Sequence, residues 1–156
     1  MKFSEHRILL LAATLAAGTL AVAPSAQAAP QVTPETATLS FDCGSYGSGT
    51  ATLKAAQDGT AATIEVSTDA IKAPVPIGAN SAESTLTLTK NGSGTTTFTG
   101  RSNPAIPAGG SVSTGPLSGT VASGDSLEAQ SLTVKVFGVT AECKATSPQD
   151  PGPFVF

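Results

Sequence analysis

Ser131–Cys143 reads SLTVKVFGVTAEC, the most strand-like run of the chain after its N-terminal segment. Side chains alternate between the two faces of a strand. Leu132, Val134 and Val136 therefore share one face, with Thr133 and Lys135 opposite. Beyond Phe137-Gly138, Val139, Ala141 and Cys143 share a face, with Thr140, Glu142 and Lys144 opposite. The apolar set thus moves from even to odd positions. Both sets can reach one core if a single extra residue lies between them, and glycine accepts the φ > 0 conformation of such an insertion. The stretch is predicted to be one closing strand with a β-bulge at Phe137-Gly138.

This strand ends in a cysteine whose only partner in the chain is Cys43. The redox setting follows from the N-terminus. Lys2 and Arg7 are positive, Ile8–Val22 is an apolar run, and Ala26-Gln27-Ala28 is a small-x-small cleavage motif. This pattern predicts a secretory signal peptide at residues 1–28, cut after Ala28. The run is Ala-rich and shorter than the ~20 residues a membrane span needs, and no second apolar span is expected in the mature chain. The protein is expected to be secreted, extracellular or cell-wall associated, and two cysteines in an exported chain pair. A Cys43–Cys143 bridge closes a loop of about 100 residues, for which chain entropy alone gives roughly 4.7 kcal/mol. That is a large share of the ~5–15 kcal/mol that stabilises a typical domain.

Outward from the closing stretch, short strands alternate with turn signals. Thr36–Cys43 turns Ala37, Leu39, Phe41 and Cys43 to one face. Thr50–Ala55 is a second strand. Ala61–Thr68, with Ala62, Ile64 and Val66 inward, is a third, announced by the hairpin signal Gln57-Asp58-Gly59. Ala70–Ala79 carries two prolines among apolar residues, which suits an edge or a crossover. Ser84–Thr99 is a hairpin around the three-residue loop Asn91-Gly92-Ser93. That loop sets Leu86 opposite Phe98 and Leu88 opposite Thr96, whereas a two-residue turn would set both leucines opposite threonines. Register follows the buried face, so the first pairing is expected. Arg101–Gly110 is a loop, Val112–Val121 a weak strand broken by Gly115-Pro116, and Ala122–Gln130 a connection. A linker at 29–34 precedes the domain at 35–146, and a proline-rich tail at 147–156 ends in Phe154-Val155-Phe156. About seven strands and no helix after the signal predict an all-β, immunoglobulin-like β-sandwich. Its disulfide would join the first and last strands, and the buried Trp of antibody domains has no counterpart because the chain has no tryptophan.

The opening Leu39-Ser-Phe-Asp-Cys43, the closing Val139-Thr-Ala-Glu-Cys143 and the aromatic-poor Thr/Gly/Ala body resemble an uncharacterised family of secreted actinobacterial β-sandwich domains with one terminal-strand disulfide. The likeness spans about residues 33 to 146. The segment after Cys43, Gly-Ser-Tyr-Gly, departs from the proline-containing apolar turn of that family. The resemblance implies a fold and no activity.

The chemistry is mostly a matter of exclusion. His6, the only histidine, falls in the signal segment, so the mature chain can form no Ser-His-Asp or Cys-His site. Paired cysteines leave no thiol nucleophile, and two thiolates without histidine do not complete a zinc site. With 8 Lys and Arg against 11 Asp and Glu, and no basic cluster, nucleic acid is not an expected partner. Asp42 and Glu142 each precede a cysteine, so a bridge would bring them near each other, as a carboxylate-pair hydrolase would require. Parity turns both away from the core. Asp58, Asp69, Asp125 and Glu128 offer oxygens for calcium, but no loop has the dense alternation of acids such sites use. Thr85, Thr87, Thr89, Thr95, Thr97 and Thr99 form an outward threonine face, a preferred use of threonine in strands. Tyr46 in its Gly/Ser loop, and Phe154 and Phe156 in the tail, are the candidate surface-binding residues. No catalytic residue, metal ligand or cofactor is assigned. The expected function is a non-enzymatic secreted or cell-envelope-associated domain, acting by binding or structure on a cell-wall polymer or secreted protein. A small-ligand or protein-partner carrier is the first alternative and needs an apolar pocket. A carboxylate-based hydrolase is the second and needs two carboxylates converging in a cleft.

Overall fold

The computed structural model describes residues 23–25 and 31–156. The apolar run Ile8–Val22 and the cleavage motif Ala26-Gln27-Ala28 lie outside the described residues. Phe137 and Gly138 do not form a bulge. Both have positive φ, 52° and 73°, and together they make a two-residue turn between strands that pair Val136 with Val139, Val134 with Ala141 and Leu132 with Cys143. The stretch is a hairpin. The parity change is real, but it arises because the chain reverses and the same face returns opposite itself. Turns with φ > 0 at both central residues favour Asn-Gly or Asp-Gly, and Phe-Gly carries no such signature. A bulge not expected from the sequence lies seven residues upstream, at Gln130. Thr87 pairs with Ser131 and Leu88 with Ala129, which leaves Gln130 unpaired. There the inward set passes from Leu127 and Ala129 to Leu132, Val134 and Val136.

Nine strands are described: β1 (Thr36–Asp42), β2 (Ser48–Asp58), β3 (Ala61–Lys72), β4 (Glu83–Lys90), β5 (Gly94–Gly100), β6 (Ser111–Thr120), β7 (Ser126–Val136), β8 (Val139–Ala145) and the short β9 (Phe154–Val155). One 3₁₀ turn, Gly44–Tyr46, follows β1. The order β4-β5-β6-β3-β2-β1-β8-β7 closes on itself through a β4–β7 ladder, and β9 adds to β7. The molecule is therefore a closed eight-stranded barrel, not the seven-strand immunoglobulin-like sandwich expected. The eighth strand arises because Ser131–Cys143, one strand by parity, folds as the β7–β8 hairpin. Closure also removes the free edges a sandwich would have to protect. Two seams are thin. β5 meets β6 only at Thr99↔Ser118, and β1 meets β8 only at Phe41↔Ala145 and Asp42↔Lys144.

The disulfide Cys43–Cys143 lies at the β1–β8 seam, just past its last ladder pair. Below those pairs, toward the chain ends, the 147–156 segment continues the ladder. Thr146 N–H donates to Ser40 O (2.8 Å), Ser40 N–H to Ser147 Oγ (2.8 Å), and Thr38 and Asp150 exchange two bonds of 2.8 Å. Gln149 is buried. It accepts from Ala129 N–H (3.2 Å), next to the bulge, and donates to Gly152 O (2.9 Å). β9 then slots between Ser126–Leu127 of β7 and Thr33. The 147–156 segment is thus part of the barrel wall and floor.

The β4–β5 hairpin has the register read from the sequence, Leu86↔Phe98 and Leu88↔Thr96 around Asn91-Gly92-Ser93. β6 runs straight through Gly115-Pro116. Glu65 pairs with Pro116 and Ser67 with Ser113, so Thr114 and Gly115 together oppose Val66. Gly115 takes φ +63 in this bulge, and Thr114 Oγ1 accepts the Val66 N–H (3.0 Å) in place of a ladder carbonyl. A bulge beside a nearly unpaired seam tolerates proline. The segment after β3 crosses to β4 and the segment after β5 crosses back to β6. Ile77↔Ile106 ties them, and buried Asn103 accepts from Ser81 and Ala82 N–H (both 2.9 Å) and donates to Gly78 O (2.8 Å).

Candidate functional site: an apolar cavity at the open end

The two ends of the barrel are filled differently. At the end holding the β4–β5 turn and β9, large inward side chains pack solid: Ile64, Leu88, Phe98, Leu117, Leu127 and Phe154 are fully buried. Phe154 and Phe156 meet edge-on with ring centroids 6.4 Å apart. At the other end the inward positions carry Ala51, Ala73, Ala82, Ala141 and Ala145, with valines and the disulfide between them. Small residues there leave a cavity of about 320 Å³, within the range of small-molecule sites. Leu132, Val134, Val136 and Ala141 point inward yet are only half-buried, because they face this space and not another side chain.

The wall is almost wholly apolar. Leu39 and Phe41 of β1, Leu53 of β2, Val66 and Ile71 of β3, and Leu86 of β4 form one continuous lining with the β7–β8 residues. Among the described residues no aspartate or glutamate lines it, and its charged groups, Lys72 and Lys144, are exposed. Several polar wall groups are already engaged. Lys72 Nζ donates to Ser111 Oγ (2.8 Å), Ser113 Oγ donates to Glu65 (2.8 Å), and Thr68 Oγ1 donates to Thr50 O (2.8 Å). Ser84 Oγ, buried in the wall, has no partner.

The mouth is apolar too. Among the described residues, Tyr46, Val75, Phe137, Val139 and Val155 are the exposed large hydrophobic side chains, and all but Val155 also line the cavity. Phe137 is the most exposed of them at 64%. Tyr46 comes from the 3₁₀ turn after β1, Val75 from the crossover after β3, and Phe137 and Val139 from the β7–β8 hairpin. β8 carries no ladder to β1 above Lys144, so this hairpin overhangs the rim.

The residues singled out in the sequence are distributed differently. Tyr46 stands at the mouth. Phe154 and Phe156 are buried in the floor and offer no surface. Asp42 and Glu142 are both exposed, and neither lines the cavity. Asp42 Oδ1 accepts the Gly44 N–H (2.7 Å), which caps the turn that carries Tyr46. The acids considered for calcium are committed elsewhere. Asp125 accepts from Ala122 N–H (2.8 Å) and Asn91 Nδ2 (3.2 Å) and pairs with Lys90 at 3.1 Å. The Ala122 amide, with Lys90 and Asn91, holds its carboxyl below the usual range against the opposing effect of burial. Asp69 accepts from Ser111 Oγ and faces Lys72 at 3.7 Å, and its carboxyl is lowered first by that serine. Glu128 accepts the Gln149 N–H (3.2 Å) and Asp58 is exposed at the β2–β3 turn. The described residues contain no group of three or more His, Cys, Asp or Glu placed to share a metal ion. No helix among them is long and apolar enough to cross a membrane.

The threonine face lies on the outside of the barrel. It continues across β4 onto β7, where Thr133 stands opposite Thr85 and Ser131 opposite Thr87. The cavity, by contrast, was not singled out from sequence. Inward residue size gives no clean signal for it: Phe41, Ile71 and Leu132 line the cavity, while Ala37, Ala55 and Ala62 are buried outside it. No family model, no curated protein and no solved structure matches the chain.

Proposed function

We propose that the protein is an exported, non-enzymatic carrier that holds a small, uncharged, apolar molecule in the open half of its barrel. The observation that carries this reading is the 320 Å³ cavity whose wall lacks any carboxylate and whose mouth is rimmed by exposed apolar side chains. Binding sites of this kind are concave, apolar and largely preformed. A charged ligand would find no compensating group inside, and burying a charge without one is costly. A polar cell-wall polymer would find few free hydrogen-bonding groups in the wall. A carboxylate-based hydrolase lacks its converging acids in this cavity. Export is supported by the signal-type N-terminus and the single disulfide.

The test is a titration of the purified, disulfide-intact protein with N-phenyl-1-naphthylamine, a neutral apolar dye that brightens on leaving water. Wild type is expected to bind it at micromolar concentration. Ala141→Trp, which fills the cavity from a half-buried β8 position, is expected to lose that binding while its melting transition stays cooperative. A wild type that leaves the dye dark, or an Ala141→Trp variant that binds as well as wild type, sinks the reading.

A further inference from the structure

We infer that Phe137 is the capturing residue of this site: its ring folds inward across the mouth once the cavity is filled and slows the ligand's escape. The inference rests on the apolar-carrier reading and adds to it the residue that sets retention.

Three observations converge. The first is conformational. Among the described residues, Asn80, Asn91 and Phe137 are the non-glycine residues with positive φ. Asparagine tolerates this region through local hydrogen bonding of its short side chain, whereas a bulky residue there is an outlier. The chain uses asparagine at the other two positions and an aromatic only here, at the leading position of a turn that favours Asn or Asp. The second is exposure. The ring is the most exposed large apolar side chain, so the fold recovers little through burial for the strain it carries. The third is position. Phe137 lines the cavity from the tip of the overhanging hairpin, and Tyr46 and Val75 line it from other elements. Backbone strain of this kind clusters at ligand clamps and active sites. A two-residue turn fixes the backbone, so closure needs only rotation about the side-chain bonds of Phe137 and no loop rearrangement.

The capture role predicts a stability gain and a binding loss in one substitution. Phe137→Asn relaxes the turn and removes the ring, so its melting temperature is expected to rise by about 4 °C. Its affinity for N-phenyl-1-naphthylamine is expected to fall at least ~tenfold, as removing a buried aromatic contact implies. Most of that loss should appear as faster dissociation in stopped flow. Phe137→Ala should lose the same affinity without the gain in stability, which separates the ring from the turn. Phe137→Asn releasing dye at the wild-type rate, while Ala141→Trp fails to bind it, would overturn the capture role and leave the carrier standing. Wild type that takes up no dye would instead bring down the carrier reading itself. If the ring serves to enter a lipid surface, Phe137→Asn will lose co-sedimentation with phosphatidylglycerol vesicles and keep wild-type dye kinetics, which also overturns capture.

Discussion

Gly119 in β6 has no room for a side chain. A methyl group there would lie 2.6 Å from the ring of Phe98, one of the two fully buried phenylalanines of the packed end. Gly119→Ala must push the ring or the strand aside, and overpacking of this kind costs about 1–3 kcal/mol. A urea midpoint lowered to match, with an unchanged slope, is the expected result, and an unchanged midpoint would show that the ring moves freely. At this scale the sequence was partly legible. Alternation put Leu86, Phe98, Ile64 and Leu39 on the correct inner faces, because a face choice needs only parity. Phe154 and Phe156 look like surface candidates in the sequence because their burial depends on distant partners, Leu127 beside Phe154 and the Gly124-Asp125 backbone beside Phe156, and no local pattern reports such a contact. Ser84 was equally invisible: an unpartnered hydroxyl in an apolar wall is a property of neighbours, not of the residue.

The loop between β6 and β7 is held to the β4–β5 hairpin by Asp125, whose carboxylate joins Ala122, Asn91 and Lys90. These contacts lower its folded-state pKa. A carboxyl lowered on folding stabilises the native state above its unfolded value, near 3.9, and that contribution is lost as pH falls through the folded value. Asp125→Asn is expected to be less stable than wild type by about 1–2 kcal/mol at pH 7, the loss of charge-assisted hydrogen bonds. The gap should narrow between pH 4 and pH 2, as urea midpoints across that interval would show. A gap of constant size would mean that the charge is not what holds the loop. Hairpins differed in how readable they were. Asn91-Gly92-Ser93 announces a turn, and the leucines beside it fix the register. Phe137-Gly138 announces nothing, so parity alone could not tell a bulge from a reversal, and the error of one element became the error of one strand in the count.

Closure of the whole barrel depends on two seams that the ladders barely stitch, and the disulfide spans one of them. Its contribution is therefore both entropic and local. The double variant Cys43→Ser/Cys143→Ser is expected to lose about 3–5 kcal/mol in urea unfolding, the range for a loop of this length. Hydrogen exchange should quicken first in β8 and the Gly44–Tyr46 turn, beside the mouth. Uniform quickening over all strands would show that the bridge acts on the unfolded chain alone. The all-β class and the pairing of the cysteines were legible from composition and cysteine count. The closed ring was not, since closure is decided by the β4–β7 ladder between strands far apart in the chain. The cavity was hidden for a related reason. Alanines are frequent throughout this sequence and inward in both halves, Ala37, Ala55 and Ala62 in the packed one and Ala51, Ala141 and Ala145 around the cavity, so which of them face empty space is set by neighbours on other strands.

Thr33 and Val155 are hydrogen-bonded neighbours in the floor, at 2.9 and 2.8 Å. The tip of the β7–β8 hairpin lies about 30 Å away along β7, at the strand rise of ~3.3 Å per residue. Anything attached near residue 33 or beyond Phe156, whether a bead, a dye or a second domain, hangs from the side opposite Phe137. A copy tethered at residue 33 or at Phe156 would stand with its opening toward the solution, and the two attachment points would be interchangeable.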